Sequence, residues 1–187
     1  MKKIFSILLA GLFLCFSVVK AEDAYNPISS SVYSLGISPD AVASGMGDIG
    51  AATTPDVYSQ YWNPSKYAFI DSKAGFALSY TPWLSQLASD IDLAALSGYY
   101  KLGERQAISG SLRYFSLGKV TLRQSLEEQG YEIQPYEMEV DVAYSRLLSE
   151  NFSMGVSMRY ILSDLMAGDD PVGQAFSADV SAYYNKP

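Results

Sequence analysis

Histidine is absent from all 187 residues, and the single cysteine, Cys15, lies inside the amino-terminal apolar run. These absences exclude disulfide stapling within the chain, Ser-His-Asp triads and histidine-based metal sites, and with them most familiar hydrolase chemistry. Basic residues are scarce as well: 13 Lys and Arg stand against 20 Asp and Glu, with no basic cluster. Nucleic acid binding depends on cations that neutralise phosphates, so that class is set aside. After Val19 no segment approaches the roughly 20 unbroken apolar residues of a spanning helix. Any membrane-spanning structure would therefore be a barrel.

The chain opens on Met1-Lys2-Lys3, continues through an apolar stretch from Ile4 to Val19, and reaches Val19-Lys20-Ala21 before the acidic Glu22-Asp23. This is the pattern of a secretory signal peptide over residues 1–21, with cleavage expected after the small Ala21. Cys15 follows Leu14 and is succeeded by further apolar residues, so it is read as a spectator and not as a lipid-modified cysteine. Cleavage removes Lys2, Lys3 and Lys20 from the 13 basic residues and none of the 20 acidic ones, leaving a net charge of −10.

Beyond residue 70 the side chains alternate with period two, which predicts strands. Ala74, Phe76, Leu78 and Tyr80 share one parity against Gly75, Ala77 and Ser79; Ile108, Gly110, Leu112 and Tyr114 oppose Ser109, Ser111 and Arg113. The alternation is plainest from Tyr136 to Arg146, where Tyr136, Met138, Val140, Val142 and Tyr144 oppose Glu137, Glu139, Asp141, Ala143 and Ser145. It continues from Phe152 to Ser163 and from Phe176 to Tyr184, while the segment from Asp90 to Tyr100 is the least clean. About six strands can be drawn in this way.

A soluble sandwich alternates too, with its apolar face turned to a core. Three features favour a barrel with its apolar face in lipid. Tyrosines (Tyr80, Tyr114, Tyr136, Tyr144, Tyr160, Tyr184) bound the apolar parity as an interfacial girdle would, and 15 tyrosines against 8 phenylalanines suit such rings. The strands run to roughly 9 to 12 residues, long for a globular protein and right for a tilted crossing. Connections alternate between short (102–105, 148–151) and long (82–89, 118–135, 164–173), the asymmetry of outer-membrane barrels. The expected fold class is thus an all-β, transmembrane antiparallel β-barrel over residues 72–187. Because barrels begin at about eight strands, the sequence is expected to be the first part of a longer protein.

Residues 22–71 read as an amino-terminal plug or hatch. They carry Ile37-Ser38-Pro39-Asp40-Ala41, then Ser44-Gly45-Met46-Gly47-Asp48-Ile49-Gly50, then Tyr61-Trp62-Asn63-Pro64-Ser65-Lys66-Tyr67-Ala68-Phe69. The glycines permit tight turns and close packing, and Asn63-Pro64 reads as a turn before the first strand; that reading needs no function. These runs, with Asp56, resemble the PorV family of the type IX secretion system, outer-membrane barrels related to the FadL fatty-acid channels. The signature residues are Pro39, Asp40, Gly45, Met46, Gly47, Asp48, Trp62, Asn63 and Pro64. The resemblance implies a FadL-like barrel of about 14 strands when complete, within the range for bacterial barrels, of which this chain holds about the first six.

What the resemblance implies for function is a carrier rather than an enzyme. Such a protein binds cargo with carboxy-terminal type IX signal domains at a SprA-type translocon and delivers it to an attachment complex containing a PorU-type sortase. Membrane lipid is the other expected partner, and no cofactor or metal is expected. The long loops offer candidate partner contacts at Arg123, Glu127, Glu128, Tyr131, Asp169 and Asp170, each of which also reads as ordinary solvated loop. Asp164, Asp169 and Asp170 lack the ordered ligand spacing of a calcium loop. Glu137, Glu139 and Asp141 fall on one strand face about 7 Å apart, superficially like an acid/base pair, but a polar lumen with Arg113 and Arg159 as partners explains them more simply. Trp62 is expected in the plug and Trp83 at the membrane interface. The chief rival is a FadL-like channel for hydrophobic small molecules; an outer-membrane hydrolase and a soluble periplasmic β domain follow at a distance.

Overall fold

The computed structural model describes residues 32–83, 90–122, 130–166 and 171–185, so the expected leader lies outside the described residues. Among the described residues eight strands are seen: β1 (Ala74–Pro82), β2 (Ile91–Gly103), β3 (Gln106–Leu117), β4 (Val120–Leu122), β5 (Tyr131–Ile133), β6 (Tyr136–Leu147), β7 (Phe152–Asp164) and β8 (Gly173–Tyr184). Six form one antiparallel sheet in the order β1-β2-β3-β6-β7-β8, and β4 pairs only with β5. The fold is all-β, and the described sheet is open, with β1 and β8 at its edges. Pro82, which has no N–H to give a ladder, ends the edge strand β1, where its loss is tolerated.

The expected strands are present with small changes at their ends, and β3 spans the expected residues. The connection 118–135, read as loop, instead contains the β4–β5 ribbon, registered as Val120↔Ile133 and Leu122↔Tyr131. Strands this short carry too few residues for a period to show. The untidy alternation of β2 also has a cause: Leu93, Ala95 and Tyr99 are buried on one face while Leu96 and Tyr100 are exposed on the other, so both parities are apolar. Tyr99 joins Tyr67 and Ala107 in a small core with Val57 and Ile70 packed against it.

Sheet polarity is inverted relative to a soluble sandwich. The exposed face carries Phe76 at 83% exposure, Val142 at 59%, Met158 at 62% and Phe176 at 80%. The opposite face buries Arg113, Glu137, Glu139, Asp141, Ser145, Ser153 and Ser157.

Residues 32–71 cover this polar face in short turns. A turn of α-helix at Ala41–Gly45 begins with the side chain of Asp40 accepting from the Val42 N–H at 2.9 Å, an N-cap. It ends in a Schellman motif: Asp48 N donates to Ala43 O at 2.9 Å and Gly47 N to Ser44 O at 3.1 Å, with Gly47 at φ +83° and Asp48 at φ +59°. The left-handed residue after the helix favours glycine because a Cβ there meets its own backbone. A second helical turn, Ser59–Trp62, leads into a 3-10 helix, Pro64–Phe69. Asn63 caps the latter, its Oδ1 accepting from Ser65 N at 3.2 Å, and Pro64 occupies the first position, where no N–H is needed.

Candidate functional site

The polar face of the sheet and the segment lying on it form the candidate site. On β3 and β6, Arg113 and Glu139 are directly opposed, and Arg113 Nη1 lies 3.0 Å from Glu139 Oε2, with both residues buried. Arg159 stands opposite Asp141 on the β6–β7 ladder, so its long side chain reaches Glu139 diagonally: Nε is 2.6 Å from Glu139 Oε1, and Nη2 is 3.9 Å from Asp179. One carboxylate on β6 thus lies between guanidiniums of the two strands that flank it, β3 and β7, a placement set by strand register.

Arg113 also grips the covering segment. Its Nη2 donates to Ser34 O at 2.7 Å and to Ile37 O at 2.6 Å, and its guanidinium lies 4.9 Å from the centre of the Tyr61 ring. Neighbouring carboxylates act likewise. Glu137 accepts from Ser34 N at 3.2 Å, and Asp141 Oδ1 accepts from Gln60 Nε2 at 2.9 Å as well as from Ser111 N and Oγ at 2.8 and 2.9 Å. The face read as a polar lumen is therefore a bed whose charges satisfy backbone groups that the turns of the segment leave unpaired. Glu137 takes a backbone N–H of the segment and Asp141 a side-chain amide of it, while Glu139 acts through the arginine that holds Ser34 and Ile37.

Toward the short-turn end the contact becomes closer and less charged. Ser153 Oγ donates to Ser65 O at 2.8 Å, and a Cβ on Gly155 would stand 3.1 Å from Ser65 N, so glycine lets the two backbones meet. Asn63 Nδ2 donates to Ala51 O at 3.1 Å and to Ala182 O on β8 at 3.0 Å. Tyr67 stacks on Tyr99 at 4.9 Å between centroids, and its hydroxyl donates to Val57 O at 2.6 Å. Burial pushes the Tyr67 hydroxyl well above the ordinary tyrosine range.

Lys66 is fully buried. Its Nζ donates to Gly50 O at 2.8 Å and Thr53 Oγ1 at 3.0 Å. Burial lowers its pKa from the usual value, and the charges of Asp56 and Asp40 offset part of that shift. Trp62 lies directly on Gly50, where any Cβ would collide with the indole.

Of the signature residues, Asp40, Gly45, Met46, Gly47 and Asp48 build the capped first turn, Pro39 is buried beside it, and Trp62, Asn63 and Pro64 build the second anchor. Arg113 and Arg159, the partners expected for the carboxylates of a polar lumen, both pair with Glu139, from the strands on either side of it. The roles of Ser34, Gln60 and Gly155 left no sequence signal, since each is an ordinary residue whose partner is set by tertiary contact. Of the loop candidates, Tyr131 opens β5 with its side chain exposed, while Arg123, Glu127, Glu128, Asp169 and Asp170 lie outside the described residues. Trp83 follows β1, with its N–H donating to Ile91 O at 2.8 Å. Among the described residues no three Cys, Asp or Glu side chains converge as metal ligands, and no helix is long and apolar enough to cross a membrane, which says nothing of strands.

Compared with known proteins, the chain matches over residues 20–187 the model of the family described as Type IX secretion system protein PorV. A search of curated proteins finds no match.

Proposed function

The chain belongs to the PorV family of the type IX secretion system, and from that premise we propose that it is an integral outer-membrane β-barrel of the secretion machinery. In this reading a leader over residues 1–21 is cleaved on export, residues 22–71 form a plug, and the strands cross the membrane with their apolar parity in lipid. The barrel receives cargo carrying a carboxy-terminal signal domain at a SprA-type translocon and carries it to a PorU-type sortase complex. It holds cargo and performs no chemistry on it.

The observation that supports this best is the inverted sheet. Large apolar side chains such as Phe76, Leu78, Val142, Val156 and Val180 are exposed while Arg113, Glu137, Glu139 and Asp141 are buried. In water that arrangement exposes far more contiguous apolar surface than a soluble monomer tolerates; in a bilayer it is the expected one. A plug tied down by Arg113, Asp141 and Asn63 would leave docking to the outer loops.

Affinity purification of the tagged full-length protein from its native outer membrane, followed by mass spectrometry, tests the carrier role. Recovery of a large translocon, a sortase and proteins with type IX signal domains is expected. Recovery of bound lipid alone, with growth dependent on its uptake, would replace the carrier by a FadL-like channel for hydrophobic molecules.

A further inference from the structure

The exposed apolar face is not flat. Its central row runs Phe76, Gly98, Gly110, Val142, Met158 across five strands in register, and the adjacent glycines on β2 and β3 leave a dent. A groove of about 700 Å³ results, floored by Gly98 and Gly110 and walled by Tyr100, Ile108, Tyr144 and Met158. Tyr100 also lines a second hollow, of about 400 Å³, at the β2–β3 turn. That hollow carries both signs of charge on its lining: Asp71, Lys73, Lys101 and Glu104 border it, with Leu102 and Gly103 between them. Lys73 Nζ stands 5.8 Å from the ring centre of Tyr100, the residue that lines both groove and hollow. Lys101 Nζ donates to Ile70 O at 2.6 Å. Asp71, Lys73 and Glu104 have no ion-pair partner among the described residues.

An apolar trough that meets a rim carrying unpaired charges of both signs matches an amphiphile with a hydrocarbon chain and a zwitterionic head. We propose that this wall binds one molecule of an amine-bearing phospholipid, phosphatidylethanolamine in class. One acyl chain lies over Gly98 and Gly110, Lys73 meets the phosphate, and Asp71 and Glu104 accept from the ammonium. The inference rests on the proposed placement of this face in the membrane. It concerns the outer wall, not the lumen. A quaternary head group cannot donate hydrogen bonds to the two carboxylates, so phosphatidylcholine binds less well.

The full-length protein, reconstituted in vesicles of phosphatidylethanolamine mixed equally with phosphatidylcholine and released into detergent, is examined by native mass spectrometry. One retained phosphatidylethanolamine per protein is expected, favoured at least about tenfold over phosphatidylcholine, a ratio of about 1.4 kcal/mol. Gly98→Phe, which points into the groove, removes it. Its Cβ meets Gly75 O at 3.3 Å, so only a slight shift is needed, and heat-dependent gel migration checks that the variant folds. Because the Gly98 variant changes backbone packing, Lys73→Gln and the pair Asp71→Asn with Glu104→Gln provide surface tests; Lys73→Gln lowers retention of either phospholipid, since both carry the phosphate, and the carboxylate pair lowers the preference for the ethanolamine head. Equal retention of both lipids by the parent, or unchanged retention in every variant, overturns the proposal. Loss of a copurifying membrane protein from Gly98→Phe without loss of lipid also overturns it, making the groove a protein interface. If the parent fails to fractionate with the outer membrane, the proposed placement of this face falls; normal fractionation without lipid preference sinks the groove alone.

Discussion

Arg113, in the middle of β3, donates through Nη2 to the backbone carbonyl of Ser34, 79 positions earlier in the chain, at 2.7 Å. The same guanidinium pairs with Glu139, so one side chain joins two strands and the covering segment.

Arg113→Met is therefore expected to destabilise the folded protein by about 3–5 kcal/mol, because it leaves Glu139 and two carbonyls short of a buried partner. Arg113→Lys should recover only part of this, since an ammonium cannot reproduce the planar fork. Urea titration of the protein in vesicles, read by tryptophan fluorescence, measures the loss; protease cleavage within 32–71 should rise in parallel. An intact, protease-resistant segment in Arg113→Met would show that the anchor lies elsewhere.

Asn63 acts as both cap and bridge. Asn63→Ala is expected to cost about 1–2 kcal/mol, and Asn63→Asp should retain the cap acceptor for Ser65 while losing the donors to Ala51 and Ala182. The two variants separate these roles. If Asp restores stability fully, the bridge to β8 contributes nothing measurable.

Gly47 and Gly45 are close in sequence and unlike in demand. Gly47, at φ +83°, should lose about 1 kcal/mol on replacement by Ala, whereas Gly45→Ala, with no atom within 4 Å of the new Cβ, should be neutral or slightly stabilising. Paired unfolding curves for the two variants check the contrast.

Lys66 gives the pH dependence a definite sign. Its pKa falls on folding, from the ordinary 10.5, through burial, so the unfolded chain binds its proton more tightly. Stability attributable to this group should rise as pH climbs from the depressed folded value toward 10.5 and be level below that window. The difference between parent and Lys66→Met unfolding curves across this range should carry that slope. In the folded protein Lys66 should resist acylation under conditions that label the exposed Lys73 and Lys119; rapid labelling of Lys66 would contradict its burial.

Val142→Arg separates a membrane wall from a soluble surface. Val142 is 59% exposed, so in water the change would be nearly silent. In a bilayer a midplane arginine costs about 2–4 kcal/mol, and assembly into vesicles should fall accordingly. Unimpaired assembly would argue against lipid contact at that position.

Sequence alone settled what depends on period and residue type. The alternation in 74–80, 106–117 and 136–146 separates the two faces of each strand, because successive side chains on a pleat point opposite ways whatever lies next to them. The glycine of Gly47 and the Asn63-Pro64 pair likewise mark turns through local backbone chemistry. What the tertiary structure decided is partnership. Which carboxylate Arg113 holds, which carbonyls it meets, why Gly155 must be small and where Gly98 and Gly110 align to hollow the wall all follow from strand register and from the docking of one segment on a sheet. Those contacts join residues up to 130 positions apart, as between Tyr183 and Thr53, and no local pattern encodes a distance closed only when the chain folds.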